Sequence, residues 1–569
     1  MSWTGHNSPH KLAEALSLVL PLLPLDSRAR AACVCRAWRA AAARPALWET
    51  LSFVHSTARV DNAVLTSLCA RAGAALRTLN LDSGACSSIT SSGVLTALRG
   101  GGCTGLRCLD APATRDCALN PLHLQKVLRG KQVLDLVAAC PMLQHTACAV
   151  ECEPPVDVAA VLAALPGPLT LDCERYGTAS FELVECLRCK TTLLSLRLRL
   201  KHDHNDAAAA TQLADSLHVN STLTTLDLCC GHIGDAGATQ LAKSLRVNTT
   251  LKNLDLSCSL VFEVGATQLA ESLRVNTTLK NLNLGGNGIR DAGATQLAES
   301  LRVNTTLTNL DLGSNGIGDA GATQLAESLR VNTTLTNLDL GGNDFGDVGV
   351  TELTDCLRVN TTLRSLDLSD SSIGDACATQ LADCLRLNTT LTTLVLRNVG
   401  PGVEGHFGDE GATQLAECLR VNTALTSLAL GENEIGAAGA TQLAASLRVN
   451  ATLTRLDLSF NSVGAAGAIQ LAESLRVNTT LTSLDLYQNG VGDEGTIQLA
   501  ECLKLNTTLT SLDLTDNAIG DAGAAQLTEC LLVNTTLRSV ILNMNFSNIS
   551  GKCCDALEEA ALPRCMLRD

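Results

Sequence analysis

Residues 307–334 read LTNLDLGSNGIGDAGATQLAESLRVNTT, and the reading of this segment decides the fold. The segment recurs with small changes, its leading leucine returning at Leu193, Leu223, Leu251, Leu279, Leu307, Leu335, Leu363, Leu391, Leu425, Leu453, Leu481, Leu509 and Leu537. Ten of the twelve intervals are 28 residues and the others are 30 and 34. A fixed period of this length marks one supersecondary unit stacked on copies of itself. Within each unit LxxLxLxxN predicts a short strand whose leucines alternate inward. A Gly-Asp turn follows, its Asp (Asp291, Asp319, Asp521) placed to cap a helix. The helix GATQLAESL is expected to end at an Asn suited to a left-handed C-terminal position, and TT leads into the next strand. Strands about 4.8 Å apart facing helices about 10 Å apart oblige the stack to curve, with the parallel sheet on the inner side.

The pattern resembles the leucine-rich repeat, in its 28-residue ribonuclease-inhibitor subtype. That resemblance implies an α/β solenoid, a horseshoe with a concave parallel sheet and convex helices. The regular repeats are expected over 191–549. Between 60 and 190 the lattice is degenerate: LRTLNL at Leu76, LRCLDA at Leu106 and LTLDC at Leu169 keep the strand form, and AACPMLQHTAC near Leu143 reads as a longer repeat. Residues 550–569, with GKCCDALEEAAL, are expected to form a C-terminal capping helix, as the exposed end of a solenoid requires.

Composition agrees. Aromatic residues are 2% of the 569 while apolar residues reach 46%, so the core is Leu, Ala and Val in regular, closely spaced layers. The net charge of −15 argues against a general nucleic-acid or anionic-membrane binder. The longest apolar stretch, Ala15 to Leu25, is too short to span a bilayer.

Twenty-five cysteines invite a disulfide framework, and the repeats dissolve it. The helix position seven residues before each leading Leu holds Ser216, Ser244, Ser272, Ser300, Ser328, Ser446 and Ser474, and elsewhere Cys186, Cys356, Cys384, Cys418, Cys502 and Cys530. Cys there trades with Ser as a small residue, and equivalent helix positions roughly 10 Å apart exceed disulfide reach. Free thiols point to a reducing compartment, cytoplasmic and/or nuclear. The Cys186–Cys189 pair lacks the second half of a zinc site, so no metal and no cofactor is expected. The recurrent NTT sequons are scaffold features rather than glycan acceptors.

All three tryptophans fall in the first 48 residues, which form a different module. The segment KLAEALSLVLPLLPLDSRARAACVCRAWRAAAARPALWETL places apolar residues at helical spacing, then a Leu-Pro-Leu turn, a helix carrying VCRAW, and PALW. It resembles the F-box, a small all-α module, at Glu14, Leu16, Val19, Leu20, Leu23, Pro24, Ala32, Val34, Cys35, Trp38, Pro45, Leu47 and Trp48, over residues 8–52. Lys11-Leu12 stands where the pattern opens on Leu-Pro, and Arg28 where an apolar residue is usual. The resemblance implies docking on the Skp-type linker and cullin of a ubiquitin ligase through Leu16, Val19, Leu20, Leu23, Pro24, Val34, Cys35, Trp38, Leu47 and Trp48. The alternative is an amphipathic cap on the first repeat.

A protein target is expected on the concave face. The fifth position of each strand motif carries Asp227, Asp255, Asp311, Asp339, Asp367, Asp457, Asp485 and Asp513. Like charges one strand apart repel, so the row is neutralised by a ligand with a basic surface, or its carboxylates are held by neighbouring polar groups. The row breaks at Val395 and Ala429, beside the 34-residue interval, whose insertion RNVGPGVEGHFGDE brings Pro401, His406 and Phe407 to the rim as either a binding loop or a tolerated insertion. Phe460 and Tyr487, outward in adjacent repeats, are candidate contacts on a face poor in rings.

No P-loop, HExxH or GxSxG occurs, and no nucleophile, base and orienting acid assemble, so the chain is not expected to be an enzyme. The expected function is a substrate-recognition adaptor of an SCF-type cullin-RING ubiquitin ligase. The alternative is a repeat scaffold or inhibitor.

Overall fold

The computed structural model describes residues 50–52, 62–76, 78–80, 91–100, 103, 108–111, 128–129, 145–148, 150–151, 169–176, 193–200, 206–371, 373–398, 405–543, 548–561 and 566–568. The F-box segment and Cys186 lie outside these residues. The chain divides into two units, Met1–Ser259 and Leu260–Asp569.

In the first unit the parallel strands Thr50–Ser52, Thr78–Asn80, Cys108–Ala111 and His145–Cys148 follow one another in sheet order, with helices Asn62–Ala72 and Ser91–Gly100 packed together. A further run places Leu169–Tyr176, Leu193–Leu200, Thr225–Asp227 and Asn253–Asp255 side by side, again parallel. The strand forms at Leu76, Leu106 and Leu169 are therefore real strands.

The second unit is an α/β solenoid of high regularity. Strands Asn281–Asn283, Asn309–Asp311, Asn337–Asp339, Ser365–Asp367, Thr393–Val395, Ser427–Ala429, Arg455–Asp457, Ser483–Asp485, Ser511–Asp513 and Ser539–Ile541 pair in parallel, each residue opposite its counterpart in the next repeat. Each connection is a helix, such as Asp319–Leu329, packed on the helices before and after it. Leu307, Leu310, Leu312, Ile317, Ala322, Leu325, Ala326 and Leu329 are all buried, and the equivalent positions are buried through the array up to the last helix, where Thr528 is half-buried. The layers are tight enough to explain the shortage of rings: a Cβ added at Gly321 would lie 2.6 Å from Ile317 Cγ2 and 3.1 Å from Ala294 Cβ of the preceding helix. The tail differs from expectation. Its helix Gly551–Ala561 is followed by a strand, Met566–Arg568, which pairs with Ser539–Ile541 and extends the sheet by one rung.

Two polar devices also differ from expectation. The turn aspartate does not cap its own helix. Asp319 is already the first residue of Asp319–Leu329, so its own helix is past the capping position, and the N-cap Gly318 has no side chain to offer. The capping comes from the previous repeat: Asp291 Oδ1 accepts the N–H groups of Gly318 and Gly321, both at 2.8 Å. Asp319 does the same for Gly346 and Gly349, Asp409 for Gly436 and Gly439, and Asp493 for Gly520 and Gly523. Capped Gly318, Gly436 and Gly520 have φ of −94°, −92° and −107°. Where Ala437 and Ala465 replace the aspartate, Gly464 and Gly492 turn to φ +61° and the helix starts one residue earlier, at the glycine itself. One carboxylate thus selects the backbone conformation 27 residues downstream.

The asparagine after each helix is likewise a staple between repeats rather than a left-handed terminator. Asn332 is buried; its Nδ2 donates to Leu301 O of the preceding repeat at 2.7 Å, and its Oδ1 accepts the N–H groups of Thr334 and Leu335. Asn534, the last of them, is extended at φ −70°, ψ 130°. With the amide occupied and buried, the folded sequons offer no acceptor for a glycan.

Candidate partner-binding face

The fifth-position aspartates stand on the sheet face away from the helices. Each carboxylate is held by its own turn: Asp311 Oδ1 accepts the N–H of Gly313 at 3.0 Å, Asp339 that of Gly341, Asp367 that of Ser369, Asp457 that of Ser459, Asp485 that of Tyr487 and Asp513 that of Thr515. Of the two expectations for this row, the local hydrogen bonds are present. They occupy one oxygen per carboxylate, and the in-register pairing still places Asp311, Asp339 and Asp367 on successive rungs. Burial, reinforced by the flanking Asp367 and Asp311, pushes the Asp339 carboxyl up to about 6 against the pull of the Gly341 N–H. Asp485 is raised to about 6 in the same way, by burial first and then by Asp457 and Asp513, with Arg397 opposing. Charge along the row is thus felt at Asp339 and Asp485.

Arginines answer part of that charge: Arg197 Nε pairs with Asp227 Oδ2 at 2.5 Å, and a second arginine does so at the interruption marked by Val395 and Ala429. Arg397 follows strand Thr393–Val395 and its guanidinium reaches across the intervening rung to an ion pair with Asp457 Oδ2. It passes beside Gly431, where an added Cβ would meet Ser459 Oγ at 2.6 Å. The sequence reading missed Arg397. Its signal is visible, since the seventh motif position holds Gly285, Gly313, Gly341, Ser369, Gly431 and Ser459 but Arg at 397 and Tyr at 487.

Phe460 and Tyr487 do meet, edge to face at a centroid distance of 4.3 Å, with Phe460 37% exposed. Phe460 N donates to Tyr487 O, so the rings sit in adjacent columns of neighbouring turns. They stand beside Asp457 and Asp485, and together these groups offer a cationic side chain both aromatic surface and carboxylate oxygen.

Phe407 is a correction. It is fully buried, with Phe345 among the largest buried side chains of the described residues, so its ring is not displayed to solvent. HFGDEG aligns with GIGDAG, which puts Phe407 in the core column of Ile317, Phe345 and Ile435, where burial of a ring is worth more than its display. His406 beside it is partly exposed, and Pro401 lies outside the described residues. So do all ten linker-binding positions from Leu16 to Trp48.

The helix cysteines are buried free thiols. Burial, ahead of all other influences, pushes Cys356 and Cys418 up to about 12 and Cys384 and Cys502 up to about 11, which keeps them protonated. Among the described residues no group of His, Cys, Asp and Glu could hold a metal ion, and no helix is long and apolar enough to cross a membrane.

The family described as the NLRC3 LRR domain matches residues 166–556, more than half of the chain, and an F-box-like family matches residues 13–54. No curated protein matches the chain. Of solved structures, the Rad7 and Elc1 complex in yeast is 20% identical, with 68% of this chain and 92% of that chain covered at a TM-score of 0.36. Leiomodin-1 actin-binding site 2 is 23% identical, covering 28% of this chain and 88% of its own at a TM-score of 0.24.

Proposed function

Because this chain belongs to the NLRC3 LRR domain family and carries an F-box-like module ahead of its repeats, we propose that it is a substrate-recognition adaptor of an SCF-type cullin-RING ubiquitin ligase. The observation that carries this is the order of modules: an F-box-like segment at 13–54, then a leucine-rich array to 556. The division proposed is an F-box module at 8–52, degenerate repeats at 60–190, regular repeats at 191–549 and a cap at 550–569. The N-terminal module docks the Skp-type linker, with Val34 and Trp38 in the apolar contact, and the linker carries the complex to the cullin. The sheet face holds a protein target with a basic surface, using Asp311, Asp339, Asp367, His406, Phe460 and Tyr487, with Pro401 on the rim insertion. The adaptor itself does no chemistry: it raises the effective concentration of target lysines near the activated ubiquitin. Buried thiols with no disulfide role suit a reducing cytoplasm or nucleus.

The test is co-purification of the full chain with a Skp-type linker, beside a variant carrying Trp38→Ala and Val34→Asp. The wild type is expected to bind and the variant to lose binding while its circular dichroism is unchanged. A wild-type chain that fails to retain the linker defeats the proposal.

A further inference from the structure

Cys230 and Cys258 occupy the same place in consecutive repeats of the first unit, 28 residues apart, in the turns that follow strands Thr225–Asp227 and Asn253–Asp255. Both are exposed free thiols, and both sit at positive φ, 58° and 52°. That conformation is one L side chains adopt rarely, and the same column holds Gly286 and Gly342 but also Ser314, Asp370, Glu432, Phe460, Gln488 and Asp516 at positive φ. Two successive cysteines at this position are not explained by packing, since neither is buried.

The backbone brings them within bridging distance. Beyond the strands the parallel ladder continues into the turn, with Leu228 N donating to Asp255 O at 2.8 Å and Cys230 N to Ser257 O at 2.9 Å. Adjacent rungs of such a ladder are about 4.8 Å apart, inside the roughly 4.4–6.8 Å between Cα atoms that a disulfide needs. The column shows how near its side chains come: a Cβ placed on Gly342 would lie 2.7 Å from Ser314 Oγ one rung away. The helix cysteines, on layers about 10 Å apart, have no such option.

A third thiol completes the cluster. Cys229 Sγ lies 3.5 Å from Cys230 Sγ. It is half-buried, and burial above all pushes it up to about 11, so it remains a protonated neighbour rather than the attacking sulfur. Joining Cys229 to Cys230 would close a small ring around a planar peptide bond, a strained arrangement. The bond between rungs has no such constraint.

We propose that Cys230 and Cys258 form a thiol–disulfide modification site that a peroxide closes and small-molecule thiols reopen. In the closing step one thiolate takes an oxygen from hydrogen peroxide, becoming a sulfenic acid and releasing hydroxide. The second thiol attacks that sulfur, the S–S bond forms, and the sulfenic oxygen leaves as water. Overall two thiols and one peroxide give one disulfide and two waters. Two external thiols reverse it by exchange, becoming a disulfide themselves. The bond ties two neighbouring repeats through the turns that follow their strands.

Limited hydrogen peroxide is applied to the full chain, remaining thiols are alkylated, and tryptic peptides are analysed by mass spectrometry. Lys243, Arg246 and Lys252 lie between the two cysteines, so trypsin separates them, whereas Cys229 and Cys230 stay on one peptide. The expected product is a cross-linked peptide pair joining Cys230 to Cys258, lost on treatment with dithiothreitol, while Cys356, Cys384 and Cys502 stay reduced. Cys230→Ser and Cys258→Ser should each abolish the pair, and Cys229→Ser should leave it in place. A link within the Cys229–Cys230 peptide, a link between molecules as the main product, or no linked pair where other exposed cysteines are oxidised would each overturn the proposal.

Discussion

The sheet face of the regular array has two regions built on one motif, and they solve the same electrostatic problem differently. Across Asp311, Asp339 and Asp367 the carboxylates stand on consecutive rungs, and the middle one is raised to about 6 by burial and its neighbours. Around Val395 and Ala429 the acids are removed from two rungs, and Arg397 spans the gap to Asp457. The first region stores unfavourable charge that a basic partner could relieve. The second answers the charge of Asp457 within the chain, leaves Asp485 raised to about 6, and adds the Phe460–Tyr487 pair, so it joins residual charge to apolar surface. A repeat scaffold can therefore write different binding chemistry on one face while leaving its hydrogen-bonded frame unchanged.

The largest expected effect tests whether the insertion region is anchored by its core column or merely tolerated. Phe407→Ala should destabilise the array by about 3–5 kcal/mol, as removal of a buried ring does, measured by denaturant unfolding. A loss under about 0.5 kcal/mol, the usual cost at an exposed surface site, would return Phe407 to the solvent-facing loop.

Arg397→Ala comes next. Asp457 would be left largely buried without its partner, at a cost on the order of 1 kcal/mol, discounted because the guanidinium is 40% exposed. The difference from wild type should shrink in high salt. A variant as stable as wild type at low salt would show that the two regions do not differ in the way described.

The smallest effect has the opposite sign. Asp485→Asn should stabilise the protein at pH 7.5 by roughly 1 kcal/mol, since one pKa unit is about 1.4 kcal/mol and the carboxyl is only partly buried. Asn keeps the turn hydrogen bond, as Asn283 does in the same column with Gly285 N at 2.9 Å. The folded carboxyl titrates near 6 and its ordinary value is 3.8, so the folded state binds the proton more tightly. The penalty of the charged form is therefore present above about pH 6, declines as pH falls, and is gone near the ordinary value. Thermal unfolding at pH 7.5 and pH 5 should show the advantage of the variant narrowing on acidification. A variant that is less stable at pH 7.5 would mean that Asp485 is held by more than its turn.

Much of this was legible in residues 307–334 alone. Strand, turn and helix are local events, set by leucine alternation, by glycine and by a 3.6-residue apolar stripe, so their order and period can be read without knowing what lies beside them. The Ser and Cys of the helix column were legible as small buried residues for the same reason, and so was the contact of Phe460 with Tyr487, because register follows once the period is known. Stacking decided the rest. Asp291 caps the helix of the next repeat, Asn332 bonds a carbonyl of the repeat before, and Arg397 crosses a whole rung, each through a partner some 30 to 60 residues away. A motif read along the chain assigns such side chains to their own turn, since that is the only neighbour it can see. Tertiary structure puts another repeat within one hydrogen bond of every rung, and there the nearest donor belongs to a different copy.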